Sequence, residues 1–378
     1  MGVGAGASEL RNGATSIASG TPNGTNRQAS DAKAREGSKV LAPPTPAQIA
    51  VLEKQYPAFA RTDIYGPMGA GPLSIVDTLR LWLGGLILFP LRLLVVVIIV
   101  FIYYLICRIT LLRLHSFKRN SGPAAESATG LRRTIIVESG KRLARAVLFV
   151  IGFYHIKKVK RAGGERTIQA TGIVSNHVSW IDILYHMSDT FPSFVAKKGT
   201  LKVPMVGLIS QCLGCIYVDR ETAAHVGVST LVKNRMLAVA KDPAAAPVLL
   251  FPEGTTTNGR HLLPFKTGAF LAGTPVQPYY LHFPHRRFNP AWETVSALRH
   301  MFLLLSQLVN HLEVTELPVY KPSLDECRDP HKYAQRVRDI IAKEGKLLLS
   351  SHALYEKRCY HAALLGKEPP PPPTKKAE

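Results

Sequence analysis

Apolar and polar positions divide the chain into four stretches of different texture. Residues 1–45 are Gly, Ala, Ser, Asn and Thr with almost no large apolar side chain, so they bury too little surface to offset ordering entropy and read as a disordered tail. Residues 46–131 read as a membrane-anchoring segment built on the run LWLGGLILFPLRLLVVVIIVFIYYLIC at 81–107. Pro90 and Arg92 interrupt that run. Proline removes a helical hydrogen bond, and a charge at mid-depth costs a few kcal/mol unless it snorkels or pairs. The uninterrupted part, residues 93–107, is 15 residues long, against the ~20 needed to span hydrocarbon. A re-entrant hairpin that enters and leaves by one face accommodates both interruptions; a single tilted, kinked span is the other solution. Basic residues flank both ends, with Arg61 and Arg80 before and Arg108, Arg113, Lys118 and Arg119 after. Charge asymmetry therefore selects no orientation.

From 132 to 360 the period changes. Helical patterning covers 134–153, 223–240 and 291–309, and short apolar runs predict strands at 168–174, 193–196, 215–218, 247–251, 276–283 and 312–317. Such alternation predicts an α/β layer fold, a mixed sheet flanked by helices with catalytic loops at strand ends. Residues 361–378 turn polar, pass through five prolines at 369–373 and end in Lys375-Lys376-Ala377-Glu378. The prolines form an extended spacer that holds this tail clear of the fold.

Composition narrows the partners. The 378 residues carry 47 Lys plus Arg against 26 Asp plus Glu, a formal charge of +21, which favours anionic surfaces. The long apolar run points to a phospholipid surface rather than nucleic acid, for which no binding signature occurs. The five cysteines, Cys107, Cys212, Cys215, Cys327 and Cys359, are scattered and odd in number, unlike a disulfide framework. Cys212 and Cys215 form a C-x-x-C inside an apolar run without a second pair or a nearby histidine cluster, so burial rather than metal binding is expected. The N-terminus has no apolar core of a secretory signal, only a faint transit-peptide character, and Gly6 stands where the myristoylation pattern needs Ser or Thr.

The chemistry centres on Asn176-His177-Val178-Ser179-Trp180-Ile181-Asp182. Five residues on a regular helix leave two side chains about 140° apart, so His177 must precede the helix if it is to meet Asp182. Ser179 and Asp182 fit a capping box, in which Asp182 reaches back over the helix start. That suffices as a structural role, and it also aims the carboxylate at His177 as a catalytic dyad requires. Three more segments carry candidates. Tyr217 and Arg220 end a strand in GCIYVDR, Glu253 follows a buried strand in LLFPEGTTTNGR, and Lys266 sits in the apolar loop of LLPFKTGAF. Alone, each also reads as an ordinary surface pair, turn acid or loop lysine.

In this order the segments resemble the four-block signature of the glycerolipid acyltransferase superfamily that includes PlsC. The blocks are His177 with Asp182; Gly214, Tyr217 and Arg220; Phe251 to Thr255; and a proline-bearing strand at Pro278. Longer stretches look like lysophosphatidylcholine and plant-type lysophosphatidylethanolamine acyltransferases. The resemblance implies that fold and acyl transfer from acyl-CoA, as co-substrate and without a metal or other cofactor, to a lysophospholipid hydroxyl, with His177 as base and Asp182 orienting it. It assigns Arg220 to the lysolipid phosphate, and Glu253, Gly254, Thr255, Gly214, Tyr217 and Pro278 to the substrate site. Lys197, Lys198 and Lys266 are weaker phosphate ligands. Lysophosphatidic acid or glycerol 3-phosphate would suit the same blocks, as would a non-catalytic scaffold on this fold. Many relatives carry EF-hands, and this chain has no such loop. The final Lys-Lys-x-x resembles an endoplasmic-reticulum retrieval signal read from the cytosol, which implies a cytosolic catalytic domain on that membrane.

Overall fold

The computed structural model describes residues 42–112, 130–163, 168–218, 225–242 and 245–372. The tail before residue 42, the basic residues Arg113, Lys118 and Arg119, Arg220, and Lys375-Lys376 lie outside the described residues. The strands are β1 (Ile156–Lys160), β2 (Gly172–Ser175), β3 (Ser193–Lys197), β4 (Ile216–Val218), β5 (Val248–Leu250), β6 (His261–Leu262), β7 (Val276–His282), β8 (Leu312–Glu316) and β9 (Leu348–Leu349). Seven of them form one sheet in the order β1-β8-β7-β2-β5-β3-β4, and β6 pairs with β9 apart from it. Every neighbouring pair is parallel except β7 with β8. The predicted mixed α/β sheet is thus present.

Strands β2 and β5 are wholly buried, as their unbroken apolar runs require in the covered middle of a parallel sheet. β1, IKKVK, was not predicted because its lysines hide the pattern. It is an edge strand, and Lys158 and Lys160 both pair with Glu316 of β8, charges that discourage further strand addition.

The helices are α1 (Pro46–Gln55), α2 (Ile75–Leu83), α3 (Phe89–Thr110), α4 (Gly130–Val150), α5 (Ile181–Asp189), α6 (Val206–Cys212), α7 (His225–Lys241), α8 (Ala297–Ser306), α9 (Leu324–Arg328), α10 (Pro330–Gly345) and α11 (Leu354–Leu364). α2 and α3 are joined by a π-helical turn, Gly84–Leu88, into one run of 36 residues, Ile75–Thr110, long and apolar enough to cross a membrane. The hairpin bent at Pro90 is therefore not formed, and the continuous, kinked helix is. The π turn resets the register, so Pro90 falls in the first turn of α3, where its missing N–H costs little. α3 alone, 22 residues, rises about 33 Å, close to the hydrocarbon thickness.

Arg92 is buried and pairs rather than snorkelling. Its guanidinium donates to the carbonyls of Leu305 (2.9 Å), Gln307 and Leu308 (2.9 Å) and to Tyr154 Oη (2.9 Å). These carbonyls close α8, where a cation also meets the negative end of the helix dipole. Beside it, a Cβ on Gly84 would lie 2.1 Å from Ser306 O and one on Gly85 2.8 Å from the Phe302 ring. The two glycines let the long helix touch α8 directly. α3 finds its antiparallel partner in α4: Tyr103 Oη donates to Ile136 O at 3.2 Å while Arg92 lies near Tyr154.

The segment at 46–74 belongs to the α/β domain, not to an anchor. Ala58 and Phe59 are buried with Leu263, Tyr360 and Leu364, and Arg61, expected as a flanking charge, is buried between Asp63 (2.6 Å) and Glu293 (2.7 Å). α11 carries the domain to Leu364, past the expected boundary at 360. α8 is shorter than the predicted helix because residues 291–296 are extended or bent. Cys212 and Cys215 are buried thiols, and burial pushes Cys215 up to about 12.

Arg92→Leu leaves several buried carbonyls without donors, at about 1–3 kcal/mol each. We expect a melting temperature lower by at least about 5 °C in a thermal scan of the full-length protein in detergent.

Candidate active site

The parallel strands β2, β5, β3 and β4 bring their carboxyl ends to one edge, where α/β sheets place their ligands. The segment after β2 turns there into α5. Asp182 lies in the first turn of α5 and is fully buried. Its Oδ2 accepts three N–H groups, from His177 Nδ1 at 2.9 Å, Val178 N at 2.7 Å and Ser179 N at 2.9 Å. The dyad and the cap are thus one arrangement. Only half of the capping box forms: Asp182 reaches back to Ser179 N, while Ser179 Oγ has no partner among the described residues and Trp180 precedes the helix without a side-chain cap. Donation to the carboxylate assigns the proton to Nδ1, so Nε2 is the basic nitrogen. The imidazole is 18% exposed and stacks on Phe251 with ring centroids 4.0 Å apart.

The loop after β5 holds the histidine backbone from both sides. Glu253 Oε1 accepts His177 N at 2.7 Å, and Thr257 N donates to His177 O at 3.0 Å. Glu253 Oε2 accepts Leu263 N at 3.0 Å. Burial pushes the Glu253 carboxyl up to about 8, opposed by the N–H groups of Leu263 and His177. Behind the dyad His186 is fully buried against Phe251 and Tyr279, and burial pushes it down to about 3, so it stays neutral. On the other side of the loop Lys357 Nζ donates to Thr256 O (2.9 Å) and Oγ1 (2.7 Å), and burial pushes it down to about 8.

A family model described as Acyltransferase matches residues 161–282. Lysophospholipid acyltransferase LPEAT1 of Arabidopsis thaliana is 45% identical over 357 residues, 85% of this chain and 89% of that protein. This chain belongs to the PlsC-type acyltransferase family. Lysophospholipid acyltransferase LPCAT4 of Homo sapiens is 32% identical over 277 residues, 72% of this chain and 51% of that longer protein. The solved structure of the 1-acyl-sn-glycerophosphate (LPA) acyltransferase PlsC from Thermotoga maritima aligns at 17% identity and a TM-score of 0.44, over 71% of this chain and 98% of its own.

In this acyltransferase the expected site residues do not all converge. His177, Asp182, Glu253 and Gly254 meet at the ends of β2 and β5. Glu253 was expected to contact the acceptor, but both its oxygens are occupied by backbone donors, so it positions the histidine instead. Gly254 has φ +71° and lies under Lys266, whose Nζ would be 2.6 Å from a Cβ there. The glycine is thus required by conformation and by close approach. Thr255 is half-buried in the same loop.

Gly214, with φ +65°, turns α6 into β4, and Tyr217 Oη bonds Ser210 Oγ at 2.7 Å. β4 is three strands from β2, about 14 Å away, so Tyr217 shapes the sheet edge rather than the dyad. Arg220 would follow β4 two residues on, outside the described residues. Lys197 and Lys198 lie at the end of β3. Pro278 is buried in β7 opposite Val174, and Leu317 N donates to its carbonyl at 3.1 Å; it builds the sheet and does not reach the dyad.

Sequence reasoning missed Asn176, which bonds both the N–H (2.8 Å) and the C=O (2.9 Å) of Leu281 and so ties the histidine loop to β7. It also missed the stacking role of Phe251. An asparagine directly after a buried strand was the available signal.

Because the folded-state value of Glu253 lies above the ordinary 4.5, the fold retains a proton that the unfolded chain has released. The associated stability is full below about pH 4.5 and is lost as pH rises through about 8. The melting-temperature advantage of wild type over Glu253→Gln is expected to shrink steadily from pH 5 to pH 9. A constant difference would show that the carboxyl does not titrate in that window.

Proposed function

We propose that this protein transfers a fatty acyl group from acyl-CoA to the free hydroxyl of a lysoglycerophospholipid, with lysophosphatidylethanolamine preferred and lysophosphatidylcholine also accepted. The observation that carries this reading is the 2.9 Å bond from His177 Nδ1 to a fully buried Asp182, which leaves Nε2 as an oriented base, in a chain 45% identical to LPEAT1. His177 Nε2 takes the hydroxyl proton as the oxygen attacks the thioester carbonyl. Asp182 holds the tautomer and stabilises the imidazolium. Collapse of the tetrahedral intermediate breaks the C–S bond, and the imidazolium returns the proton to the departing thiolate. No acyl-enzyme forms; Ser179 contributes its backbone N–H to Asp182, and its fully buried hydroxyl is not assigned as a nucleophile.

Arg220 is assigned to the lysolipid phosphate, where a guanidinium can bond two oxygens. Lys266, which lies over Gly254, and Lys197 and Lys198 at the adjoining strand end are assigned to further phosphates of headgroup or CoA. The long helix keeps the site at a membrane surface, where lysolipid and acyl-CoA both partition. An endoplasmic-reticulum membrane location with the catalytic domain facing the cytosol is part of this proposal, and the Lys375-Lys376-Ala377-Glu378 motif supports it.

Membranes carrying the protein, given labelled oleoyl-CoA and separately lysophosphatidylethanolamine, lysophosphatidylcholine, lysophosphatidic acid or glycerol 3-phosphate, should acylate the first most rapidly. His177→Ala should lower that rate at least ~10²-fold. Equal rates from mutant and wild type would remove the base from the mechanism, and a preference for lysophosphatidic acid would move the acceptor.

A further inference from the structure

A cavity of about 1140 Å³ lies between the first turns of the long helix and the β1–β8 end of the sheet. It exceeds the ~300–1,000 Å³ of most small-molecule pockets. One side is apolar and open. Leu83 and Ile87 of the long helix line it, as do Leu308 and Val309 beyond α8; Leu83 is 61% and Leu308 68% exposed. The other side is cationic, with Arg80, Lys157, Arg286 and Arg287 against two acids, Asp77 and Glu313. Both acids are already paired. Asp77 bonds Arg287 and lies 3.8 Å from Arg80, and Glu313 lies 3.3 Å from Lys157. Arg286 is exposed on this rim with no ion pair among the described residues, and His155 and His311 share the lining.

The polar start of the apolar run, Ser74 to Arg80, marks the level at which headgroups meet hydrocarbon. A surplus of cations beside open apolar side chains at that level complements one ligand chemistry, a phosphate that carries acyl chains. We propose that this cavity holds an anionic glycerophospholipid of the leaflet. Its phosphate sits at Arg286, and its chains lie along Leu83, Ile87, Leu308 and Val309. The site is separate from the dyad. His177 does not line it, and β2 stands two strands from β8 and three from β1, about 10 and 14 Å. A lipid held there contacts both the long helix and the sheet, close to the Gly84 and Arg92 contacts that join them. The charge of the leaflet thereby bears on how firmly the helix is seated.

The test titrates the full-length protein in detergent with dioctanoyl phosphatidylserine and with dioctanoyl phosphatidylcholine, read by thermophoresis. Phosphatidylserine is expected to bind the more tightly. Arg286→Gln should weaken it about tenfold, the loss of one charge-assisted phosphate contact, and Leu308→Gln should weaken both lipids. His177→Ala should bind as wild type does. Unchanged affinity in both Arg286→Gln and Leu308→Gln would overturn the proposal. Loss of phosphatidylserine binding in His177→Ala would also overturn it, because it would place the ligand in the catalytic site. Neither result depends on which acceptor the enzyme prefers.

Discussion

One carboxylate oxygen organises the centre of this molecule. Asp182 Oδ2 gathers N–H groups from His177, Val178 and Ser179, and each charge-assisted bond contributes on the order of 1.5–3 kcal/mol. The chain must curl tightly between β2 and α5 for three donors so close in sequence to reach one acceptor. That curl presents the imidazole outward at the carboxyl edge of the sheet. The same bonds that begin the helix therefore also orient the His177 imidazole, so helix start and ring orientation place the same demand on Asp182.

A second layer keeps the curl from relaxing. Asn176 anchors it to β7 on one flank, and Glu253 with the backbone of Thr257 anchors it to the loop after β5 on the other. Phe251 closes one face of the imidazole and Gly254 keeps the loop low enough for Lys266 to pass over it. The long helix is held by contacts of the same kind. Close glycine packing at Gly84 and Gly85 and the Arg92 guanidinium on the last carbonyls of α8 seat an apolar helix directly on a polar domain.

Much of this was legible beforehand because the signals are local. The central strands are short runs of Val, Ile and Leu, the histidine and aspartate stand at a spacing that only a helix start can reconcile, and the glycine after Glu253 announces a turn. The lysine-rich edge strand β1 was not legible, since its pairing with Glu316 lies across the sheet. Nor was the inward turn of Glu253, which was expected to face substrate: an acid after a strand looks the same in sequence whether its partners are water or two backbone amides.

By itself, then, the sequence determined that His177 must precede a helix if it is to meet Asp182, the central run of buried strands, and the presence of an apolar run broken by Pro90 and Arg92. These follow from periodicity, turn chemistry and spacing, all short-range, whereas the roles of the site residues came only from the resemblance to the acyltransferase blocks. Tertiary structure decided what the breaks meant. A π turn absorbs Pro90, and α8, more than 200 residues away in the chain, supplies the carbonyls that let Arg92 be buried, so the run continues as one helix instead of folding back. A buried charge depends on partners that approach only when the chain has folded, and no local pattern records them.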